Sequence, residues 1–456
     1  MRPAAERQIV SQTSDRLHPA PSPAKLEGMP RRTAEVFGVS NEILPDSYVD
    51  RGHLDDRLRV LLERPTHIAL RGVSKCGKSW LRQRIVPDAL IVQCRYKKTA
   101  ADVYVDALSQ LGVHLEVERT TERSMKFAAE GQGQLGLKLI AAAKASLGGE
   151  LAASSQNKTS PVGRTAGDLS FVAELLKKSG RRLVIEDFHY LATEERKHFA
   201  FDLKALWDFG VFVLIVGVWA ENNFLLSLNP DLTGRVEELA ISWSKEDLER
   251  ILLKGGWTLK LDFAEPLRKK LVELAYENAG ILQKLALGTL DEMGIHEEAS
   301  SDRKLVNIQA VEDAALHYAD QINPLYQQFA RRVAEGIRHR EDSTGIYPHA
   351  MAAILSEADD KLLRGMNIDA IFQIANARQP RIHKGNLRTV LRNFARLQVD
   401  EEGRGLVLAY DEATDDVTVV DRQLLLYRRY ATVRWPWETL IQEAEAKQAA
   451  NDQEDG

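Results

Sequence analysis

A chain of 456 residues is long for one hydrophobic core, and 44% hydrophobic with 28% charged residues fit an ordinary globular protein of two or three domains. A net charge of -5 excludes a globally basic nucleic-acid binder, so any such contact must come from a local patch. Two cysteines, Cys76 and Cys94, exclude a disulfide framework and fit a reducing cytoplasm. No apolar run is long enough to span a bilayer and residues 1–30 lack the apolar core of a secretory signal, so a cytoplasmic protein without membrane contact is expected.

Residues 1–33 carry Pro, Ser, Ala and scattered charge without periodicity and read as a disordered, slightly basic arm. An α/β core is expected from 34 to 243. Leu54, Leu58, Leu61 and Leu62 stand at helical spacing, and Thr66-His67-Ile68-Ala69-Leu70 reads as a buried parallel strand. Directly after it, Gly72-Val73-Ser74-Lys75-Cys76-Gly77-Lys78-Ser79 spells G-x-x-x-x-G-K-[ST], and Trp80–Val86 can begin the next helix. Strand, loop and helix in this order make a phosphate-binding loop. Backbone N–H groups of residues 73 to 79 would wrap a β-phosphate, Lys78 would neutralise the β- and γ-phosphates, and the Ser79 hydroxyl would ligate Mg²⁺.

Ala89–Cys94 and a helix around Asp102–Leu111 make a second β-α unit. Residues 116–167 alternate apolar and small residues before a Ser/Asn/Thr-rich loop. They read as a variable insertion, either a surface excursion or a protruding element that meets a partner. Asp168 caps a helix ended by Gly180, and Arg181–Asp187 is an apolar strand ending in two carboxylates. In P-loop ATPases such a strand lies beside the loop, so Glu186 is expected at the metal and Asp187 as the base, with the two roles open to exchange. His189 reads as structural. Val211–Val218 is a further apolar strand, whose tip (Trp219, Glu221, Asn222, Asn223) either senses a γ-phosphate or is a solvated loop. Arg235, before the strand Val236–Ile241, either reaches a γ-phosphate in its own or a neighbouring subunit or makes a surface salt bridge.

After Ser244 the chain reads as all-helical, giving a lid over 244–300 in which Asn278-Ala279-Gly280-Ile281-Leu282 starts a helix facing the nucleotide. A connector over 301–340 follows, with its helix broken at Asn323-Pro324. Residues 341–441 give three helices and a hairpin, an α+β winged helix-turn-helix, and 442–456 a polar tail. On the third helix Arg388, Arg392 and Arg396 form one stripe, preceded by Arg378, Arg381 and Lys384 with no acid between Arg378 and Arg396. This face suits phosphate contacts on double-stranded DNA, whereas the acidic turn Asp411–Asp416 suits a protein-docking or autoinhibitory module.

The loop, the strand ending Glu186-Asp187, the strand Phe212–Val218, Arg235, the lid and the terminal winged helix together resemble the AAA+ and STAND-type ATPases. The order is similar to that of archaeal Orc1/Cdc6-like initiators and of bacterial NTPases linked to signalling or phage defence. The resemblance covers residues 34–430. It implies ATP and Mg²⁺ as cofactors, Lys78 and Ser79 as their ligands, the acidic pair as the hydrolytic groups and Arg235 as a candidate arginine finger. Departures from the pattern are the Glu-Asp order of that pair and the absence of an arginine after Gly280. A slowly hydrolysing ATPase switch is therefore expected, with itself, DNA or a separate effector protein as candidate partners. The alternatives are a DNA-binding regulator whose nucleotide is structural and, less well supported, a kinase-like transferase.

Overall fold

The computed structural model describes residues 30–113, 167–219, 221–336, 345–398 and 405–454. Most of the expected N-terminal arm and the 116–167 insertion lie outside the described residues. Of the arm, Arg32 is already held, bridging to Glu297 of the lid.

The first layer of structure is α1 (Leu54–Leu62), β1 (His67–Arg71), α2 (Lys78–Ile85), β2 (Ala89–Gln93), α3 (Ala100–Ser109), α4 (Leu169–Ser179), β3 (Arg182–Glu186), α5 (Thr193–Asp208), β4 (Val213–Gly217), α6 (Phe224–Leu228) and β5 (Val236–Ala240). The five strands form one parallel sheet in the order β2-β3-β4-β1-β5. Helices cover both faces, which explains why the central strands read as unbroken apolar runs. Ile68 and Leu70 face one buried cluster and Ala69 the other. β4 lies between β3 and β1, and from one strand away Glu186 of β3 still reaches the loop at Ser79, beside which sequence reasoning set it.

The lid comprises α7 (Lys245–Leu259), β6 (Leu261–Phe263), α8 (Glu265–Leu274), α9 (Ala279–Glu292) and β7 (Arg303–Leu305). It is not all-helical, because β6 and β7 pair in parallel. Three-residue strands leave too short a period to read from sequence. The connector, α10 (Ile308–Glu335), runs through Pro324 without a break, contrary to expectation. Proline removes one helix hydrogen bond, and the burial of Tyr318, Tyr326, Phe329 and Val333 on either side of it offsets that loss.

The C-terminal part is α11 (Ile346–Leu355), α12 (Asp359–Arg364), β8 (Met366–Asn367), α13 (Ile368–Arg378), α14 (Lys384–Gln398), β9 (Leu408–Asp411), β10 (Asp416–Val419), α15 (Gln423–Tyr430) and α16 (Pro436–Glu454). Helices α11, α13 and α14 and the β9–β10 hairpin follow the predicted winged-helix order, while α12 and the short third strand β8 were not anticipated. The tail, read from sequence as a polar segment, is helical to Glu454. This part is joined to the rest by a polar bridge. Tyr326 Oη donates to Asp421 Oδ2 at 2.9 Å, Gln423 Nε2 donates to Asp421 Oδ1 at 3.0 Å, and the Tyr326 ring stacks on Tyr427 at 5.2 Å. One apolar cluster runs from Leu70 through Leu282 and Val311 to Leu391 and Leu424. No helix among the described residues is long and apolar enough to cross a membrane.

His67 sits at the centre of this packing with no exposed surface. Val213 N–H donates to its Nδ1 at 3.0 Å, so Nε2 carries the proton and donates to Leu203 O at 2.8 Å. Burial pushes its pKa down to about 4, so the fold requires the neutral ring. The unfolded chain takes up the proton first. His67 therefore contributes its full stability above about pH 6.5 and loses it as pH falls towards about 4, by about 3 kcal/mol. Urea titrations between these pH values are expected to give a steep fall in stability for the natural chain, and a shallower one, by about one proton, for His67→Gln.

Candidate nucleotide site

The loop between β1 and α2 leaves the sheet at the carboxyl ends of its strands, where α/β proteins bind ligands. Gly77 is N-cap of α2 with φ +86, a left-handed conformation that a side chain would strain, and it sets the first amides of α2 around the loop. A cavity of about 360 Å³ opens there. It is lined by residues 74–79 of the loop and by Val39, Tyr48, Val49, Trp243, Ile251 and Gln283, a mostly apolar set that suits a base. Of the predicted loop residues, Gly72 and Val73 stand behind the cavity, where their carbonyls hold Lys78 Nζ at 3.1 and 2.7 Å.

The two strand-end carboxylates separate. Glu186 is buried, accepts from Ser79 Oγ at 2.8 Å and pairs with Arg82 Nε at 2.8 Å. The expected juxtaposition of Ser79 and Glu186 is present, and the arginine is new. Asp187 lines the cavity and accepts from Gln93 Nε2. Burial, and then the neighbouring Glu186 charge, raise its pKa above the usual carboxylate range, against Lys78. His189 also lines the cavity, and its Nδ1 accepts from Val218 N–H at 3.3 Å. Burial pushes its pKa down to about 3, aided by Lys78 and Arg196, so the ring is neutral.

The other candidates fall away from this centre. The Arg235 carbonyl accepts from His67 N–H and from Thr66 Oγ1, so Arg235 stands at the amino end of the sheet. That is the opposite edge from the loop, roughly 16 Å away along a five-residue strand. Its guanidinium lies 4.8 Å above the Trp207 ring. This corrects the reading of Arg235 as a finger for its own chain's γ-phosphate. Asn222, at the tip read as either a γ-phosphate sensor or a solvated loop, accepts from Arg71 on the exposed surface, and Arg71 pairs with Glu238 at 2.6 Å.

Residues that sequence reasoning missed brace the loop. The Cys76 carbonyl accepts from Trp243 Nε1 at 2.8 Å and from Arg51 Nη2 at 3.2 Å, while the Arg51 guanidinium stacks 4.0 Å from the Trp243 ring. These contacts span 25 and 167 positions and leave no local signal. Arg82 did leave one, since it is three residues from Ser79 and shares its helix face. Cys76 and Cys94 are both buried free thiols, and burial pushes Cys94 up to about 12.

Lid and C-terminal part both touch the loop. Asn278, the N-cap of α9, donates from Nδ2 to Ser74 O at 2.7 Å, and Gly280 N–H donates to Lys75 O at 3.1 Å. A Cβ at Gly280 would stand 2.7 Å from that of Lys75, so only glycine allows the approach. From the other side Ser74 N–H donates to Val420 O at 2.9 Å, just after β10. Arg422 Nη1 donates to Tyr276 O at 2.8 Å and Glu277 O at 3.0 Å, gripping the turn that leads into Asn278.

The basic stripe of α14 is largely occupied by the chain's own acids. Arg388 pairs with Asp415 through Nε at 3.0 Å, Arg392 with Glu412 at 2.8 Å, and Lys384 with Asp369. Arg388 and Tyr410 hold the Asp415 carboxyl down to about 2. Arg381 and Arg396 remain on the exposed surface. The acids that were absent along the sequence arrive from the wing turn and from α13.

No protein-family model matches the chain, and no curated protein does. Among solved structures it is similar to the Walker-type ATPase of Pyrococcus abyssi, at 14% identity and a TM-score of 0.49 over 84% of this chain and 97% of that one. It is also similar to Cdc6p of Pyrobaculum aerophilum, at 12% identity and 0.35 over 87% and 97%. A third is the STAND protein with a tetratricopeptide repeat sensor from Pyrococcus horikoshii, at 11% identity and 0.34 over 86% and 44%. Likeness at this level carries no functional inference. The chain's own five-stranded parallel sheet, with a G-x-x-x-x-G-K-[ST] loop between its first strand and the following helix, has the fold of a P-loop NTPase.

Because Arg388 and Arg392 are already paired, reversing both charges is expected to leave retention on double-stranded DNA unchanged within about twofold, as read by fluorescence anisotropy at fixed low salt. Loss of retention would instead assign these arginines to a DNA interface.

Proposed function

We propose that the chain is a nucleotide-dependent switch that binds ATP around residues 74–79 and hydrolyses it slowly, with the C-terminal winged-helix part as the element it controls. The observation that carries this reading is the hydrogen bond from Ser74 N–H to Val420 O at 2.9 Å. That amide is among the donors a phosphate would take, and a carbonyl of the C-terminal part has it. Phosphate and Val420 compete for one donor, so nucleotide binding and release of the C-terminal part are linked. By reciprocity, a partner that draws this part away strengthens nucleotide binding. A separate effector protein is the kind of partner this fits.

Lys78 must exchange two carbonyl contacts for phosphate oxygens, and its side chain has the reach to do so. Ser79 Oγ, which donates to Glu186 Oε2 at 2.8 Å, is the oxygen that would hold a hard divalent cation. Mg²⁺, when bound, supplies charge neutralisation at the phosphates. Asp187, with its raised pKa and a place in the cavity wall, is the candidate acceptor for a proton from attacking water. With Arg235 at the far edge, assembly with a second chain would be the route by which an arginine completes the site. The alternative of a DNA-binding regulator is weakened by the Asp415 and Glu412 pairs on α14.

The test is stopped-flow release of a fluorescent ADP analogue, together with steady-state turnover with and without double-stranded DNA. Lys78→Ala is expected to weaken nucleotide binding by about 100-fold, and Arg422→Ala, by loosening the hold of the C-terminal part on Tyr276 and Glu277 and so weakening Val420's competition for the Ser74 amide, to slow release by about tenfold. Release unchanged by Arg422→Ala rules out the latch. Turnover that appears only with DNA favours an ATPase coupled to nucleic acid, and DNA retention without turnover favours the regulator.

A further inference from the structure

We infer that Arg82 is a built-in cation that takes over the metal's charge role at Glu186, so that this site holds its nucleotide with little dependence on divalent ions. The inference rests on the nucleotide reading above and deepens it.

Both oxygens of the Glu186 carboxylate are taken, Oε2 by Ser79 Oγ and Oε1 by Arg82 Nε, each at 2.8 Å. Arg82 and Glu186 are only 6% and 5% exposed, so water does not screen the pair. Separating such a pair leaves an uncompensated buried charge, which is why it persists. A divalent ion arriving at Ser79 therefore meets a carboxylate that is already neutralised, and behind it a like charge in a medium of low dielectric. Ser79 is left as the protein's ligand to the ion, while Glu186 is held back on its arginine.

Positive charge for the phosphates is supplied by the chain itself. Lys75, Lys78 and Arg51 line the cavity and Arg82 stands behind it, four cations against the two carboxylates Glu186 and Asp187. Arg51 is buried, and its Nε has no hydrogen-bond partner. Arg82 is thus a positioning residue that acts through Glu186, and its position on α2 three residues after Ser79 fixes that geometry.

The test measures the affinity of the full chain for ADP and for a non-hydrolysable ATP analogue by calorimetry, in Mg²⁺ and in EDTA, beside Arg82→Lys and Arg82→Gln. Affinity is expected to change by less than about threefold between the two conditions in the natural chain and in Arg82→Lys, and by more than about tenfold in Arg82→Gln. Electron paramagnetic resonance of Mn²⁺ added to the ADP complex is expected to report about tenfold tighter metal binding in Arg82→Gln. A natural chain that loses more than about tenfold in EDTA overturns the inference and leaves the nucleotide site standing. No binding in either condition overturns both. The comparison in the natural chain needs no variant, so poor folding of Arg82→Gln does not rescue the inference.

Discussion

A glycine-rich loop has more backbone donors and acceptors than it can pair by itself, and those turned away from water must find partners. Here the partners of one short loop come from across the chain: Trp243 and Arg51 on Cys76 O, Asn278 on Ser74 O, Gly280 on Lys75 O and Val420 on Ser74 N–H. The sheet, the segment before α1, the lid and the winged-helix part are thereby tied to the same eight residues. A change in what fills the loop is felt by all of them at once, without a long path of relayed shifts.

Charge is managed in the same local way. Glu186 has Arg82, Asp415 has Arg388 and Glu238 has Arg71, so the acids that look free along the sequence are paired in space. The buried pair of Glu186 and Arg82 contributes little net stability compared with apolar packing, but it fixes geometry, because a wrong partner would leave a charge exposed to low dielectric. At the wing the pairing has a different result. A helix whose sequence advertises a phosphate-binding stripe presents much less free positive charge once the acidic turn folds back on it.

Much of the sheet and the phosphate loop was legible because their signals are local: apolar runs of strand length, capping residues such as Asp168, Ser244 and Asn278, and a spaced motif between strand and helix. The winged-helix order was legible for the same reason. The two-residue β8 and three-residue β6 and β7 were not, since they exist through pairing rather than through any pattern of their own. Pro324 misled because tertiary packing on both sides outweighed a local rule. Arg235 misled because proximity to a strand says nothing about which end of the sheet it occupies. The full site, with Arg51, Trp243 and Val420, is assembled from contacts whose partners lie far apart in sequence, and no local pattern encodes them.

The turn that Arg422 grips has a further property. Tyr276 and Glu277 both adopt left-handed backbone, with φ +49 and +55, although neither is glycine and the first is bulky. Each such residue is about 1–2 kcal/mol above its relaxed conformation. Two in a row make a wound spring directly in front of Asn278 and Gly280, held by the guanidinium of a different domain. If that guanidinium withdraws, the turn has its own reason to unwind, and the lid helix that begins at Ala279 is carried with it. The energy for opening the loop is then stored in the resting fold rather than drawn wholly from the incoming nucleotide.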